Sequence, residues 1–550
     1  MEEVVFNIIM HAGDARSYAF EALRYAREQK FEAAAASMSQ AKTKLIDAHH
    51  IQTQLLSRRQ KAKNRNLVFS WSGRNSNGRR KERANYTGGG SDGSLGCRLA
   101  NRSWTDKRPG QDSLIDIAYK QFPDRWHEGY GPAVATDFYH RYAEDCALMK
   151  ELGMTTYRTS IDWSRFILNY ETGEVNPEAA TYYSNVVDEL IRNGIEPMIC
   201  LEHWELPYSL FEKYGGWRSR TVVDCYVRYA EAVFRLLGAR VKYWFTFNEP
   251  IVFPWLGSMD GVWYPIPWNY HKVLANALAV KLYHGGDYGY REGGRIGIIL
   301  NAAPVYPRSQ SADDRKATAM CDLFYNRLYT DPCIKGEFPA EYFSLLEQHD
   351  CRLVYDEADL AVIRDNTIDV MGLNYYTPHR VKARSSAWNR AVAFHPQYYF
   401  ENHELQGKKM NPHRGWEIYA KGLYDFAMLL KEEYNNLPWL VTENGMGVAE
   451  EWKYKNPDGV IQDDYRIDFV ADHLRWLLKA VEEGSNCLGY LMWNFTDNVS
   501  PYNAFKNRYG YVEIDLDNQR QRRLKKSAYW FRQVVKQGYF EYEGFAPQYK

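Results

Sequence analysis

No pair or cluster among the eight cysteines, from Cys97 to Cys487, has the spacing of a metal site or a disulfide framework. That scatter suits a reducing cytosol and leaves no metal to propose. Charge of one sign is also missing. Lysine plus arginine balance aspartate plus glutamate, for a formal net charge of zero, so no long-range field draws the chain to nucleic acid or to a membrane surface. No apolar run approaches the roughly 18 residues of a membrane span. The opening MEEVVFNIIMHAGDA carries acids where a secretion signal needs bases. A cytoplasmic protein without metal or organic cofactor is therefore expected, with its partner to be sought locally. Aromatic residues are abundant: 17 Trp and 43 Tyr in 550 residues suit one large domain plus an appendage.

Two stretches carry the chemistry. In LVTENGMG, Leu440 to Thr442 read as the end of a buried strand, and Asn444, Gly445 and Gly447 as the loop leaving it, so Glu443 is presented at a sheet edge. In KYWFTFNEP, Lys242 to Phe247 form an aromatic, β-branched strand that Pro250 stops just after Glu249. One acid at a strand end reads as a solvated loop residue. Two in matching settings read as the pair that acetal hydrolysis requires, one protonating the leaving oxygen and the other attacking the anomeric carbon or activating water.

With these motifs the chain resembles the retaining β-glycosidases of glycoside hydrolase family 1, whose acid/base and nucleophile segments look like TFNEP and TENG. The resemblance implies Glu249 as acid/base and Glu443 as nucleophile. It also implies an α/β fold of (β/α)8 TIM-barrel type, with motifs at the C-terminal strand ends. Seven strands are recognisable: Thr155 to Trp163, Pro197 to Glu205, Lys242 to Asn248, Arg295 to Ala302, Asp369 to Tyr376, Trp439 to Glu443 and Leu488 to Phe495. The first strand is not. The family's Gln-x-Glu-Gly segment, whose Gln binds the glycone, has no counterpart between Arg58 and Ser113, so an open seam with unpaired backbone and little activity is expected. On the other strands the resemblance makes Arg158 (YRTSIDWSR) a cation that holds Glu443 ionised. His203 and Trp204 (LEHWELP) become glycone-binding residues, and Asn248 a ligand of the sugar 2-hydroxyl. Asn374 and Tyr376 (GLNYYTP) orient the nucleophile, and Trp493 (LMWNFTDN) stacks on the sugar's apolar face. Each residue alone reads equally well as packing or as a structural ion pair.

A departure follows Trp493. Family β-glucosidases carry a Glu about seven residues on, for the sugar's 4- and 6-hydroxyls. Here stand Ser500 and Pro501, then NAFKNRYG. Ser500, Lys506, Asn507 and Tyr509 exchange an acceptor for donors and positive charge, as a dianionic phosphate demands. The pattern resembles 6-phospho-β-glucosidases, which commonly have Lys where Asn507 stands; here Lys506 is one place earlier. The expected partner is a small phosphorylated disaccharide or β-glucoside, such as phosphorylated cellobiose. A non-phosphorylated β-glucosidase, a 6-phospho-β-galactosidase and a plain surface turn remain as alternatives. From another class, so does a catalytically silent phosphocarrier-like or interaction protein.

The first 57 residues read as two amphipathic helices: Val4, Val5, Ile8 and Ile9 share a face that Ala19, Ala22, Leu23 and Ala26 continue, and a second helix runs from Phe31 to about Leu56. MHAGDARSYAFEAL and AHHIQTQL resemble the lactose/cellobiose-type IIA phosphocarrier of the sugar phosphotransferase system. That family's phosphorylated His lies in a segment like VHAQDH, absent here, and His49 reads as a packing residue of the second helix. From 58 to 111 the composition turns basic and Gly-rich, with the run RRKER and no apolar periodicity. This stretch reads as a disordered linker or the product of an out-of-frame segment. Residues 112–550 form the barrel.

Overall fold

A computed structural model describes residues 30, 33, 35–44, 89–91 and 107–540, except 253–257, 260–261, 264, 352, 388–393 and 502. The chain divides into two compact units, Met1–Val68 and Phe69–Lys550. Of the first, residues 35–44 are helical, inside the expected second helix. The remainder of that helical pair, His49 and Cys97 lie outside the described residues, as does most of the basic stretch.

In the second unit a closed parallel barrel is formed by β1 (Gly89–Ser91), β2 (Thr156–Ser160), β3 (Glu196–Glu202), β4 (Tyr243–Asn248), β5 (Arg295–Leu300), β6 (Val370–Asn374), β7 (Trp439–Glu443) and β8 (Cys487–Trp493). The expectation of an open seam is corrected here. β1 pairs Gly89 with Leu491 and Ser91 with Trp493 on one side, and Gly90 with Tyr157 and Ser91 with Arg158 on the other. Three residues suffice because strand pairing uses backbone groups alone, which glycine supplies without any side-chain pattern. The linker boundary also shifts. Lys107, placed in the linker by composition, donates to Asp116 Oδ2 (2.9 Å) and Ser164 Oγ (2.7 Å) and lies 3.2 Å from Asp162. Gln111 is buried and donates to the Arg165 carbonyl. A counter-ion for two buried carboxylates is invisible to a count of basic residues.

Helices Phe138–Glu151 (α1), Pro177–Arg192 (α2), Arg220–Leu237 (α3), Pro265–Gly285 (α4), Glu357–Asp365 (α5), Lys421–Glu433 (α6), Asp464–Glu482 (α7) and Lys526–Gln537 (α8) follow the strands in turn. α3 shows why they pack. After the Ser219 N-cap, Val222, Val223, Tyr226, Tyr229, Ala230, Val233, Phe234 and Leu237 recur at helical spacing and are buried. Tyr229 then donates to the Leu201 carbonyl (2.8 Å) and Tyr226 to the Thr246 carbonyl (2.7 Å), fixing the helix against the C-terminal halves of β3 and β4. Met198, Cys200, Tyr243, Phe245, Ile299, Val370, Leu440 and Leu491 form a separate apolar cluster that fills the barrel. On β3, β4 and β7 it precedes the polar motif residues in sequence, so it forms a dry floor beneath them. Most strands end earlier than their motifs. His203 to Glu205, Glu249, Tyr376 and Asn494 lie past the last paired residue, where the chain is free to turn inward.

Candidate active site

Glu443 ends β7, and Glu249 sits one residue beyond β4 with φ +46°, in the left-handed region that non-glycine residues rarely adopt. Trp204, at φ +70°, is the strained residue after β3. Its indole donates to the Asn248 and Glu249 carbonyls at 3.1 and 3.3 Å, so it braces the backbone that carries Glu249.

Arg158, Asn248, Asn374, Tyr376 and, through Asn248, His203 join these acids in one network. Arg158 donates to Glu443 Oε1 and, at 3.0 Å, to Asn248 Oδ1. Tyr376 donates to Glu443 Oε2 at 2.8 Å. Asn374 donates through Nδ2 to Glu249 Oε1 (2.8 Å) and Asn248 Oδ1 (3.1 Å), so it meets the other acid and not the nucleophile it is expected to orient. Asn248 Oδ1 already accepts from two donors. Its Nδ2 must therefore donate to His203 Nε2, 2.9 Å away, which puts the imidazole proton on Nδ1. Thr442, read only as strand from the sequence, donates to Asn374 Oδ1 (2.7 Å) and so fixes which way that amide faces. Trp493 is buried at the end of β8. Gly445 lets the β7 loop pass it, since a Cβ there would fall 1.8 Å from the Trp493 carbonyl oxygen.

Burial pushes the Glu249 carboxyl up to about 7, against the Asn374 hydrogen bond and the Arg158 charge. Burial likewise pushes Glu443 up to about 8; Arg158 opposes this and Glu249 adds to it. Arg158, expected to hold Glu443 ionised, acts in that direction, but desolvation outweighs one guanidinium in so buried a pocket. Two acids within each other's field titrate as a unit that keeps a proton near neutrality. Glu443 faces a guanidinium and a phenol and Glu249 an amide, so hydrogen bonding favours the charge on Glu443, whereas burial raises Glu443 at least as far as Glu249.

This arrangement has a stability cost with a definite sign. An acid near 4.5 when unfolded and about 7 when folded binds more protons in the native state, so the contribution of Glu249 to stability falls as pH rises from about 4.5 to 7 and is then flat, while Glu443, raised to about 8, adds a further fall of the same sign. Glu249→Gln removes its own share of the effect. The variant should gain about 3 kcal/mol over the parent above pH 7 and nothing below pH 4.5, read from urea melts across that range. A constant difference at all pH values would contradict the shift.

The loop after β8 does not gather its four candidates. Ser500 is half-buried in a tight turn with Ala504. Asn507 and Arg508 form a short strand against Val448 and Ala449, which sends alternate side chains to opposite faces. Tyr509 and Asn507 are buried, whereas exposed Lys506 lines an outer cleft of about 410 Å³ with Glu451, Asp497, Arg508 and Glu513. Asn507 accepts from Asn503 (2.7 Å) and donates to the His413 carbonyl (3.3 Å). Tyr509 remains within reach of the chemistry. Burial pushes its phenol up to about 12, with Arg414 and Arg466 lowering it and Glu443 raising it. The sequence reading missed Trp416, whose ring lies 5.5 Å from that of Tyr376. A Trp beside the turn glycine in HRGW was the available signal. Among the described residues no cluster of three His, Cys, Asp or Glu is arranged to hold a metal.

A parallel barrel with two buried glutamates at the ends of β4 and β7, joined by Arg158, Asn248, Asn374 and Tyr376, defines an acetal-cleaving hydrolase. Residues 105–540 match glycosyl hydrolase family 1, and residues 3–69 match the lactose/cellobiose-specific IIA subunit of the PTS system. The 6-phospho-β-glucosidase GmuD of Bacillus subtilis is 46% identical over 441 residues, 79% of this chain and 92% of the relative. A 6-phospho-β-galactosidase of Clostridium acetobutylicum is 35% identical over 73% of this chain and 87% of its own. The solved family 1 β-glucosidase of Thermotoga maritima superposes with a TM-score of 0.72 at 30% identity, covering 85% of this chain and all of that one. The chain belongs to glycosyl hydrolase family 1.

Proposed function

We propose that this enzyme hydrolyses 6-phospho-β-glucosides with retention of configuration. The observation that carries the reaction class is the unequal setting of the two acids. Glu443, held by Arg158 and Tyr376, attacks the anomeric carbon as a carboxylate. Glu249, fixed by Asn374, gives its proton to the departing oxygen and later takes one from water. Asn248, locked by three partners, offers a rigid contact to a sugar hydroxyl whose strengthening in the transition state lowers the barrier.

The phosphate rests on three supports: the 46% identity to a relative so named, the absence of an acid at Ser500 and Pro501, and buried Tyr509 in the field of the nucleophile. A sugar phosphate is a cytosolic substrate, consistent with the seven described cysteines, all free thiols. Among the described residues no helix is long and apolar enough to cross a membrane.

The test is turnover of nitrophenyl β-glucoside with and without a 6-phosphate, with the product anomer followed by NMR. A phosphate preference of tenfold or more and a β first product are expected. Equal rates on both sugars would favour the plain glucosidase, an α first product would overturn retention, and no turnover of either would favour the silent-protein reading.

A further inference from the structure

Arg414 sits in the turn of a hairpin that pairs Met410 with Glu417 and Asn411 with Trp416. Its guanidinium stacks over Trp416, 4.3 Å from the ring centre, and Trp416 packs against Tyr376, which donates to the nucleophile. Two bonds tie the turn to the loops around the site. Asn411 donates to the Gly447 carbonyl at 3.0 Å, and Asn507 to the His413 carbonyl at 3.3 Å. Gly447 in turn touches Tyr509, since a Cβ there would fall 2.4 Å from the phenol ring. Arg414 is thus held beside Tyr509 on the nucleophile's side of the barrel mouth. Among the described residues its guanidinium has no carboxylate partner, and its Nε is buried without a hydrogen bond. A fork of five donors, pre-positioned on a ring and lacking an anion, is a built half of an anion site.

The loop after β8 supplies no such cation, because Lys506 and Arg508 line the outer cleft, Arg508 pairing there with Asp497, and Asn507 is already bonded on both sides. We propose that Arg414 is the residue that selects the substrate's 6-phosphate, a role that rests on the phosphoglucosidase reading above. Its guanidinium binds the dianion by charge-assisted hydrogen bonds, Tyr509 adds a hydroxyl, and Trp416 holds the fork flat and partly dehydrated.

The experiment measures KM and kcat of the full-length enzyme and of Arg414→Met on nitrophenyl β-glucoside 6-phosphate and on the plain glucoside, with glucose 6-phosphate as competitive inhibitor. In Arg414→Met, KM for the phosphorylated substrate and Ki for glucose 6-phosphate should rise roughly tenfold to a hundredfold with kcat little changed. The plain glucoside should be affected far less, and Arg414→Lys should recover part of the loss. Equal losses on both sugars, or a loss that follows the leaving group instead of the phosphate, would overturn the assignment. So would a loss of phosphate selectivity in Lys506→Met with none in Arg414→Met, while leaving phosphate recognition standing. A parent enzyme that does not prefer the phosphorylated sugar would overturn the function itself and Arg414's role with it.

Discussion

Glu443→Gln should abolish turnover of every glycoside, by a factor on the order of 10⁵ or more, because the amide cannot form the glycosyl-enzyme bond. Glu249→Gln should behave differently. A poor leaving group such as a sugar or methanol needs the proton in flight, so its kcat/KM should fall about 10² to 10⁴-fold. Nitrophenolate needs none, and its kcat/KM should fall less than about tenfold. Because Glu249 also activates the water that releases the sugar, the nitrophenyl substrate should then give a burst of nitrophenol followed by a slow steady state. Initial-rate and stopped-flow measurements on both substrates check this. Equal losses for good and poor leaving groups, without a burst, would reverse the roles. The geometry behind the expectation is the unequal pair of neighbours: guanidinium and phenol on Glu443, amide on Glu249.

The catalytic end of the barrel was legible in the sequence because each motif there combines a strand signal with a residue type that a sheet interior does not tolerate unpaired. Glu249, Glu443, Arg158, Asn248 and Asn374 are polar groups in apolar runs, and the structure joins them into one hydrogen-bonded network. Asn374 shows the limit of that reading. Its position was legible, but its partner was not: the register of β6 against β7 sets Asn374 opposite Glu443, yet its amide reaches Glu249 beyond β4. β1 escaped for the opposite reason: Gly89 to Ser91 pair by backbone alone and leave no periodicity to read. Lys506 and Asn507 were grouped as neighbours on one loop, whereas the two-residue strand at Asn507 and Arg508 separates them by face. Arg414 carries no local signal at all. Its meaning comes from a hairpin that folds over from about 90 residues away in sequence.

The largest stability effect is expected from a buried charge network that sits behind these loops. Lys525 donates to Glu451 and to Asp497 (2.7 Å), and Arg466 donates to Glu451, to Asp463 (2.9 Å) and to the Met446 and Tyr509 carbonyls. All five side chains are at most 2% exposed. The network links the β7 loop, the β8 loop and the N-terminal ends of α7 and α8, and through the Tyr509 carbonyl it sets where that phenol stands. Lys525→Met leaves Glu451 and Asp497 buried against one another with a cation removed, which should cost about 3 to 5 kcal/mol of unfolding free energy. Adding Glu451→Met removes one of the two stranded charges and its repulsion of Asp497, while Arg466 keeps Asp463 as its partner. The double variant should therefore be more stable than Lys525→Met alone, by about 1 kcal/mol or more. Denaturant unfolding of the parent, both single variants and the double gives the coupling directly. Additive losses would mean that the lysine acts through packing and not through its charge, and the network would then have no hold on the Tyr509 loop.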